Sequence, residues 1–324
     1  MPGANLGIDL GTENVVIFVK GKGIKISEPC IAAYSNIDGR LLAVGKKAYE
    51  MLGRSSGNIK VIKPMKDGVV SDFTVTKHIL QYFISRICKN MIFKPNVIVC
   101  VPSTVTDLEK RTILELIKLS GAAKARMVEE PLSAALGAGV DPQNAKGTMV
   151  VDIGGGTCDI AVVTMGGISV SKSIFCAGRS LDTAVSRQLK RERDIIVGER
   201  TAEYIKINVG GATLREVELG MTVKGKDYIT NTPLVFEVTS KEVYLAMRPA
   251  LEEMVNACRD VLELTPPDLA SDISDTGIIL TGGGAMIKGI DRLFESRLGV
   301  KTRVAQRPLD CVALGTGKIM EIIQ

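Results

Sequence analysis

Eight consecutive residues, Val150-Val151-Asp152-Ile153-Gly154-Gly155-Gly156-Thr157, constrain this chain more than anything else in it. A β-branched run enters three glycines and leaves, past Thr157, into Ile160-Ala161-Val162-Val163. The stretch reads as a hairpin whose two strands meet in a turn of nearly bare backbone. Three residues without Cβ let amide N–H groups turn inward and approach a phosphate closely. Asp152, where strand meets turn, places a carboxylate at the floor of such a site, suited to a hydrated Mg²⁺. A tight turn demanding φ > 0 would use the same glycines, so one copy leaves both readings open.

A second copy decides between them. Leu6-Gly7-Ile8-Asp9-Leu10-Gly11-Thr12 repeats the order of apolar strand, Asp, apolar residue, Gly and Thr, and then enters the strand Val15-Val16-Ile17-Phe18-Val19. Similarity at a separation of nearly half the chain marks two related halves, not a short-period solenoid. Two such hairpins facing one another across a cleft would clamp a nucleotide. The pair resembles the phosphate-binding hairpins of the superfamily of actin, sugar kinases and heat-shock chaperone ATPases.

A chain of 324 residues can bury a large core and is expected to form two domains. No apolar run approaches the roughly 18 residues that span a bilayer. Met1-Pro2-Gly3-Ala4-Asn5 has neither the basic region nor the apolar core of a secretory signal. The seven cysteines are scattered, odd in number and free of any CxxC pair, which fits reduced thiols in a cytoplasmic protein. Net charge is +5, and the densest basic cluster, Arg187 to Arg193, is broken by Glu192 and followed by Asp194. It reads as a solvated helix face, and no nucleic-acid partner is expected. His78 is the single histidine, which argues against His-based catalysis and against a His-ligated metal.

Residues 31 to about 65 read as a small insertion with its own sheet, including a helix near Gly45–Leu52. Asp72 to Cys88 is an amphipathic helix. Behind it, Met91, Ile92 and Phe93 stand between Lys89 and Lys94 in a connection that should face water. Either Phe93 tucks into the core, or the segment is a peripheral membrane tip with Arg86, Lys89 and Lys94 on anionic headgroups. Thr106 and Glu109 form a capping-box pattern for a helix with apolar Leu108, Ile113, Leu116 and Ile117 that stops at Gly121. The stretch Leu132–Gly139 is small and Ala-rich, able to pack closely beneath the cleft. In the second half, helices are expected from Ser180 and from Gly198, and strand-like stretches from Arg215 to Val238 read as a second insertion. A long helix is expected over Lys241–Leu264 and a third strand-to-glycine turn at Ile278–Ala285, with a helix from about Ile287 and a closing helix over Leu314–Ile323.

Lys63-Pro64-Met65-Lys66-Asp67-Gly68-Val69, Glu129-Glu130-Pro131, Gly198-Glu199-Arg200-Thr201-Ala202-Glu203 and Leu280-Thr281-Gly282-Gly283-Gly284 take the resemblance beyond the superfamily. Together, in order and over essentially the whole chain, they are similar to the bacterial actin homologues of the MreB/Mbl family. The resemblance implies an α/β, actin-like (ribonuclease H-like) two-domain ATPase fold with four subdomains. Subdomain IA would comprise residues 1–32, 66–145 and 311–324, and IB residues 33–65. IIA would comprise 146–181 and 246–310, and IIB 182–245. It further implies ATP or ADP with Mg²⁺ in the cleft. The implied partners are further copies in antiparallel double filaments, the inner face of the cytoplasmic membrane, and the proteins of cell-wall elongation, with maintenance of rod shape as the outcome.

Carried over by residue, the resemblance puts Gly11, Thr12, Glu13 and Asn14 in the first phosphate hairpin and Gly154, Gly155, Gly156 and Thr157 in the second. Asp9 and Asp152 match carboxylates that hold Mg²⁺ mainly through water. Glu203 and Lys206 match groups at the adenosine end, and Gly282, Gly283, Gly284 and Ala285 the turn beside base and ribose. Glu130 matches the residue that positions the attacking water, assisted by Thr157. Three places depart from the pattern. Glu13 stands where a small residue is usual, Cys158-Asp159 replaces Thr-Glu, and Arg179-Ser180 replaces a Gly-Asp type pair. Two other readings share the superfamily: a small-molecule kinase, for which no additional acidic motif supplies an acceptor base, and a chaperone-type ATPase switch, for which the chain to Gln324 holds no peptide-binding domain.

Overall fold

The computed structural model describes residues 4–89 and 92–322, so the expectation for Met91 lies outside the described residues. Two sheets of five strands share one plan. In the first, Asn5–Leu10, Asn14–Val19 and Gly23–Pro29 form an antiparallel meander, and Asn96–Val101 and Lys124–Glu129 add in parallel beyond Asn5–Leu10. In the second, Thr148–Ile153, Cys158–Thr164 and Gly167–Ile174 form the meander, and Ile278–Thr281 and Thr302–Val304 add in parallel beyond Thr148–Ile153. Each opening strand is therefore central. Every residue of Thr148–Ile153 is buried, which is why it reads as a continuous apolar run without alternation.

The insertion in the first half folds as expected. Leu41–Val44, Ala32–Ser35 and Ile59–Ile62 make a three-stranded sheet, in that order, beside the helix Lys46–Met51. Its own small core is Ile31, Ala33, Ala43 and Ala48. In the second half, Ile195–Ile196, Gly220–Asp227 and Pro233–Thr239 form another three-stranded sheet, flanked by the helices Gly178–Arg193 and Glu199–Val209. Its strands begin later than expected, because residues 215–219 take no regular structure.

Helix ends follow their local chemistry. Asp72 accepts from the Val75 amide at 3.0 Å to open Phe73–Cys88. Thr106 and Glu109 close a reciprocal box over Asp107–Leu119. Leu108 departs from its expected place on the buried face: it is 74% exposed, and Ile113, Leu116 and Ile117 carry the packing. The helix expected from Ile287 starts at Ile290, because Gly289 takes a left-handed φ of 77° and interrupts the chain after the single turn Gly284–Met286. His78 Nδ1 lies 2.9 Å from the Tyr34 hydroxyl. All seven cysteines are unpaired thiols.

The halves meet along a seam of small residues. The helices Glu130–Gly137 and Cys311–Ile322 approach so closely that an added Cβ on Gly315 would land in the Ser133 carbonyl, and one on Gly137 in the Cys311 carbonyl. The Ser133 hydroxyl donates to Val312 O at 2.8 Å across the same contact. Cys100, Ala134, Ala135, Val150, Ala161, Ile279 and Val312 form one buried cluster there, drawn from both sheets. Among the described residues no helix is long and apolar enough to cross a membrane.

Candidate nucleotide site

The two hairpins point at each other above this seam and their tips touch. An added Cβ on Gly156 would lie 2.5 Å from the Thr12 hydroxyl, and one on Gly155 would collide with the Glu13 side chain. None of Gly154, Gly155 and Gly156 has a positive φ. Close approach, not handedness, is what requires glycine at this turn. Gly154 N–H donates to Thr157 O at 2.9 Å, which holds the turn tight. Thr12 Oγ1 accepts from Gly68 N–H at 2.9 Å, and Gly68, at φ 78°, lies against Thr157 as well. The turn Asp67-Gly68 thus braces both hairpins, a contribution that the motif Lys63–Val69 carries without announcing it.

Beneath the tips lie carboxylates. Asp9 and Asp152 end the two central strands at equivalent positions, each beside a parallel neighbour. Burial pushes Asp9 up to about 8, and the nearby Asp152 adds to the rise. Asp152 is pushed up to about 7 by burial, against a hydrogen bond that it accepts from Thr281 Oγ1 at 2.6 Å. Glu130, buried at the start of its helix, is raised well above the carboxylate range, first by burial and then by Asp159, Asp9 and Asp152. Asp159 is raised by burial while the hydroxyls of Ser173 and Thr157 and the backbone of Ser103 hold it down. Mutually repelling buried carboxylates of this kind fit a hard divalent cation, whose charge would relieve them. Among the described residues no cluster of three or more His, Cys, Asp or Glu could hold a metal alone, so such an ion would draw further ligands from water and phosphate.

The third glycine turn joins the second hairpin directly. Gly282, at φ 79°, and Gly284 both lie against Ile153, where a Cβ would collide, and Gly282 N–H donates to Pro308 O at 2.9 Å. Gly283 and Ala285 complete that turn, Ala285 buried within it. Glu203 and Lys206 share a face of the helix Glu199–Val209, each already engaged. Lys206 Nζ lies 2.8 Å from Asp182 Oδ1 and donates to Gly178 O at 3.2 Å, close behind the second hairpin. Burial pushes Asp182 up to about 6, and Lys206 opposes the rise. Glu203 accepts from the Tyr49 hydroxyl at 2.6 Å, so the two small lobes touch over the cleft. Arg200 lies over the Tyr49 ring at 4.9 Å, and Lys63 pairs with Glu199 beside it.

Asn14 opens the second strand of the first hairpin and is exposed, with Gly11 at the turn before it. Glu13 does not add bare charge: Lys63 Nζ reaches it at 3.1 Å and Arg179 Nε at 3.4 Å. Lys63 and Arg179 were absent from the expected site. Arg179 was marked only as an expected departure from the resemblance, and nothing in the sequence tied Lys63 to Glu13. Far from the cleft, Ile92 is 93% and Phe93 55% exposed, so Phe93 does not tuck into the core. Arg86 of that tip pairs with Glu28 at 3.0 Å.

A family model described as MreB/Mbl protein matches residues 3–324. The cell shape-determining protein Mbl of Bacillus subtilis (strain 168) is 45% identical over 318 residues, covering 98% of this chain and 96% of that protein. The cell shape-determining protein MreB of Escherichia coli (strain K12) is 42% identical over 329 residues, covering 98% and 94%. Among solved structures, MreB5 of Spiroplasma citri bound to ADP superposes with a TM-score of 0.95 at 35% identity, covering 99% of this chain and 97% of that one. The MamK double helical filament, at 20% identity and a TM-score of 0.84 over 98% of both chains, shares the fold. The duplicated sheets, the facing hairpins and these matches over the full length lead to one assignment: the chain has the actin-like fold and belongs to the MreB/Mbl family of cell shape-determining proteins.

Proposed function

We propose that this protein binds ATP with Mg²⁺ between its two hairpins and assembles with further copies of itself into membrane-associated filaments that organise cell-wall synthesis and maintain rod shape. One observation supports it above all: the glycine tips of two homologous hairpins meet over a floor of buried carboxylates. The related MreB5 was crystallised with ADP and with AMPPNP, and its fold matches this chain at a TM-score of 0.95.

In this reading the backbone amides at Gly11, Thr12, Glu13 and Asn14 and at Gly154, Gly155, Gly156 and Thr157 bind the phosphates. Asp9 and Asp152 would hold Mg²⁺, which when bound neutralises phosphate charge. Gly282, Gly283, Gly284 and Ala285 border the base and ribose, with Glu203 and Lys206 at the adenosine end. Glu130 positions the attacking water and Thr157 assists it, so turnover depends on placement and charge neutralisation. The four subdomains divide at 32/33, 65/66, 145/146, 181/182, 245/246 and 310/311. ATP hydrolysis is slow and serves assembly. The exposed Ile92 and Phe93, with Met91 before them, enter the membrane interface on its cytoplasmic side.

The test is sedimentation with and without ATP and Mg²⁺, followed by electron microscopy on vesicles containing anionic lipid. Nucleotide-dependent pelleting with paired filaments on the vesicles is expected. Soluble monomer that releases ADP only when a small-molecule acceptor is added would replace this reading with the kinase one.

A further inference from the structure

The fold sets Glu13 and Arg179 face to face. Glu13 rides on the turn of the first hairpin. Arg179 follows Gly178 behind the second, its backbone N–H donating to Gly155 O at 2.8 Å. Their side chains meet across the hairpin tips, with Arg179 Nε 3.4 Å from Glu13 Oε1. Lys63, from the return of the small lobe, donates to Glu13 Oε2 at 3.1 Å. One carboxylate thus faces two cations from two other parts of the molecule.

The pairing is incomplete. Glu13 Oε1 and Arg179 Nη1 are both shut from water, and neither has a hydrogen-bond partner. A buried guanidinium N–H without an acceptor is costly, and the planar fork of arginine matches phosphate oxygens in pairs. The second hairpin, one hydrogen bond away through Gly155 O, is one of the two that hold the phosphates in the reading above. With both atoms shut from water, a phosphate reaches the guanidinium only as it swings away from Glu13, so the anion and the carboxylate compete for one cation.

Resting on the reading that a nucleotide lies between the hairpins, we infer that Arg179 and Glu13 act as a counterbalanced pair that sets discrimination between nucleoside triphosphate and diphosphate. Arg179 donates to the terminal phosphate, and Glu13 offsets that attraction and holds the guanidinium when the terminal phosphate is absent. The diphosphate stops short of the guanidinium, so its affinity is nearly indifferent to the Arg179 side chain. The two side chains have opposite effects on one ligand, which a merely structural ion pair would not have.

The experiment is a titration of the full-length protein with fluorescently labelled ATP and ADP, each with Mg²⁺. It compares wild type, Arg179→Ala, Glu13→Ala and the double variant. Arg179→Ala is expected to weaken ATP binding about tenfold while ADP moves less than about twofold, and Glu13→Ala to tighten ATP binding about fivefold. The double variant should return to within about twofold of wild type for ATP. Equal shifts for the two nucleotides, or weaker ATP binding in both single variants, would overturn the inference. Should Arg179→Ala not fold, Arg179→Lys keeps the charge without the fork, and it should lower the ATP-to-ADP preference about threefold; an unchanged preference would count against the proposal. If wild type binds neither nucleotide, the underlying reading fails, and that outcome appears before any variant is made.

Discussion

At the scale of single residues, the site is built from groups that are uncomfortable alone. Asp9, Asp152 and Glu130 are all held above the usual carboxylate range, first by burial and then by a neighbouring carboxylate: Asp152 for Asp9, Asp159 for Asp152 and, foremost, Asp159 for Glu130. Such repulsion concentrates where chemistry is done. If Glu130 has the proposed role, Glu130→Ala is expected to slow ATP turnover about a hundredfold or more while nucleotide affinity stays within about twofold, since a water-positioning group acts in the transition state and not on the bound ground state. Single-turnover hydrolysis beside an equilibrium titration measures both, and equal turnover in the two proteins would remove Glu130 from the mechanism. Much of this was legible in advance, because Asp9, Asp152 and the glycines obey rules that operate within a few residues. Lys63 and Arg179 were not legible as members of the site. Each lies far along the chain from Glu13, and only the tertiary fold brings the three charges together. Leu108 misled for the opposite reason, since helical spacing places it on the apolar face while its position in the first turn leaves it in water.

Among the elements, those with strong internal signals were readable. Both hairpins, the box-capped helix Asp107–Leu119 and the long helix Ser240–Leu264 form about where periodicity and capping place them. The strand Gly167–Ile174 and the helix Pro267–Thr276 were passed over although each carries a local signal, alternation at Ile168-Ser169-Val170-Ser171 in the one and proline at the first helical position in the other. The contact between Glu130–Gly137 and Cys311–Ile322 shows what the Ala-rich stretch is for. With the backbone of Ser133 against Gly315, no side chain fits between the helices. Gly315→Ala is expected to destabilise the protein by about 3 kcal/mol, the upper end of overpacking costs, because the obstruction is a carbonyl that has no rotamer to change. Thermal or urea unfolding measures it, and a melting temperature equal to wild type would show that the two helices separate more readily than their packing indicates.

For the molecule as a whole, the repeated sheet order accounts for the site. Two halves with the same meander and the same parallel additions carry equivalent aspartates to one place. Duplication makes the cleft, and the small lobes then span it. Tyr49 bonds Glu203, Arg200 lies on the Tyr49 ring, and Lys63 joins Glu199. Tyr49→Phe keeps the ring and its contact with Arg200 but removes the bond to Glu203. It is expected to speed release of a labelled nucleotide about fivefold with little change in melting temperature, since a hydrogen bond to a charged group at a partly exposed position contributes about 1 kcal/mol. Stopped-flow displacement measures this, and an unchanged off-rate would mean that the bond breaks without consequence for release. The tyrosine belongs to one jaw and the glutamate to the other. On the proposed reading, how long a guest stays inside would be decided at the lips of the molecule, well away from the atoms that recognise it, and any neighbour that pries those lips apart or presses them shut would reset that clock without touching the guest.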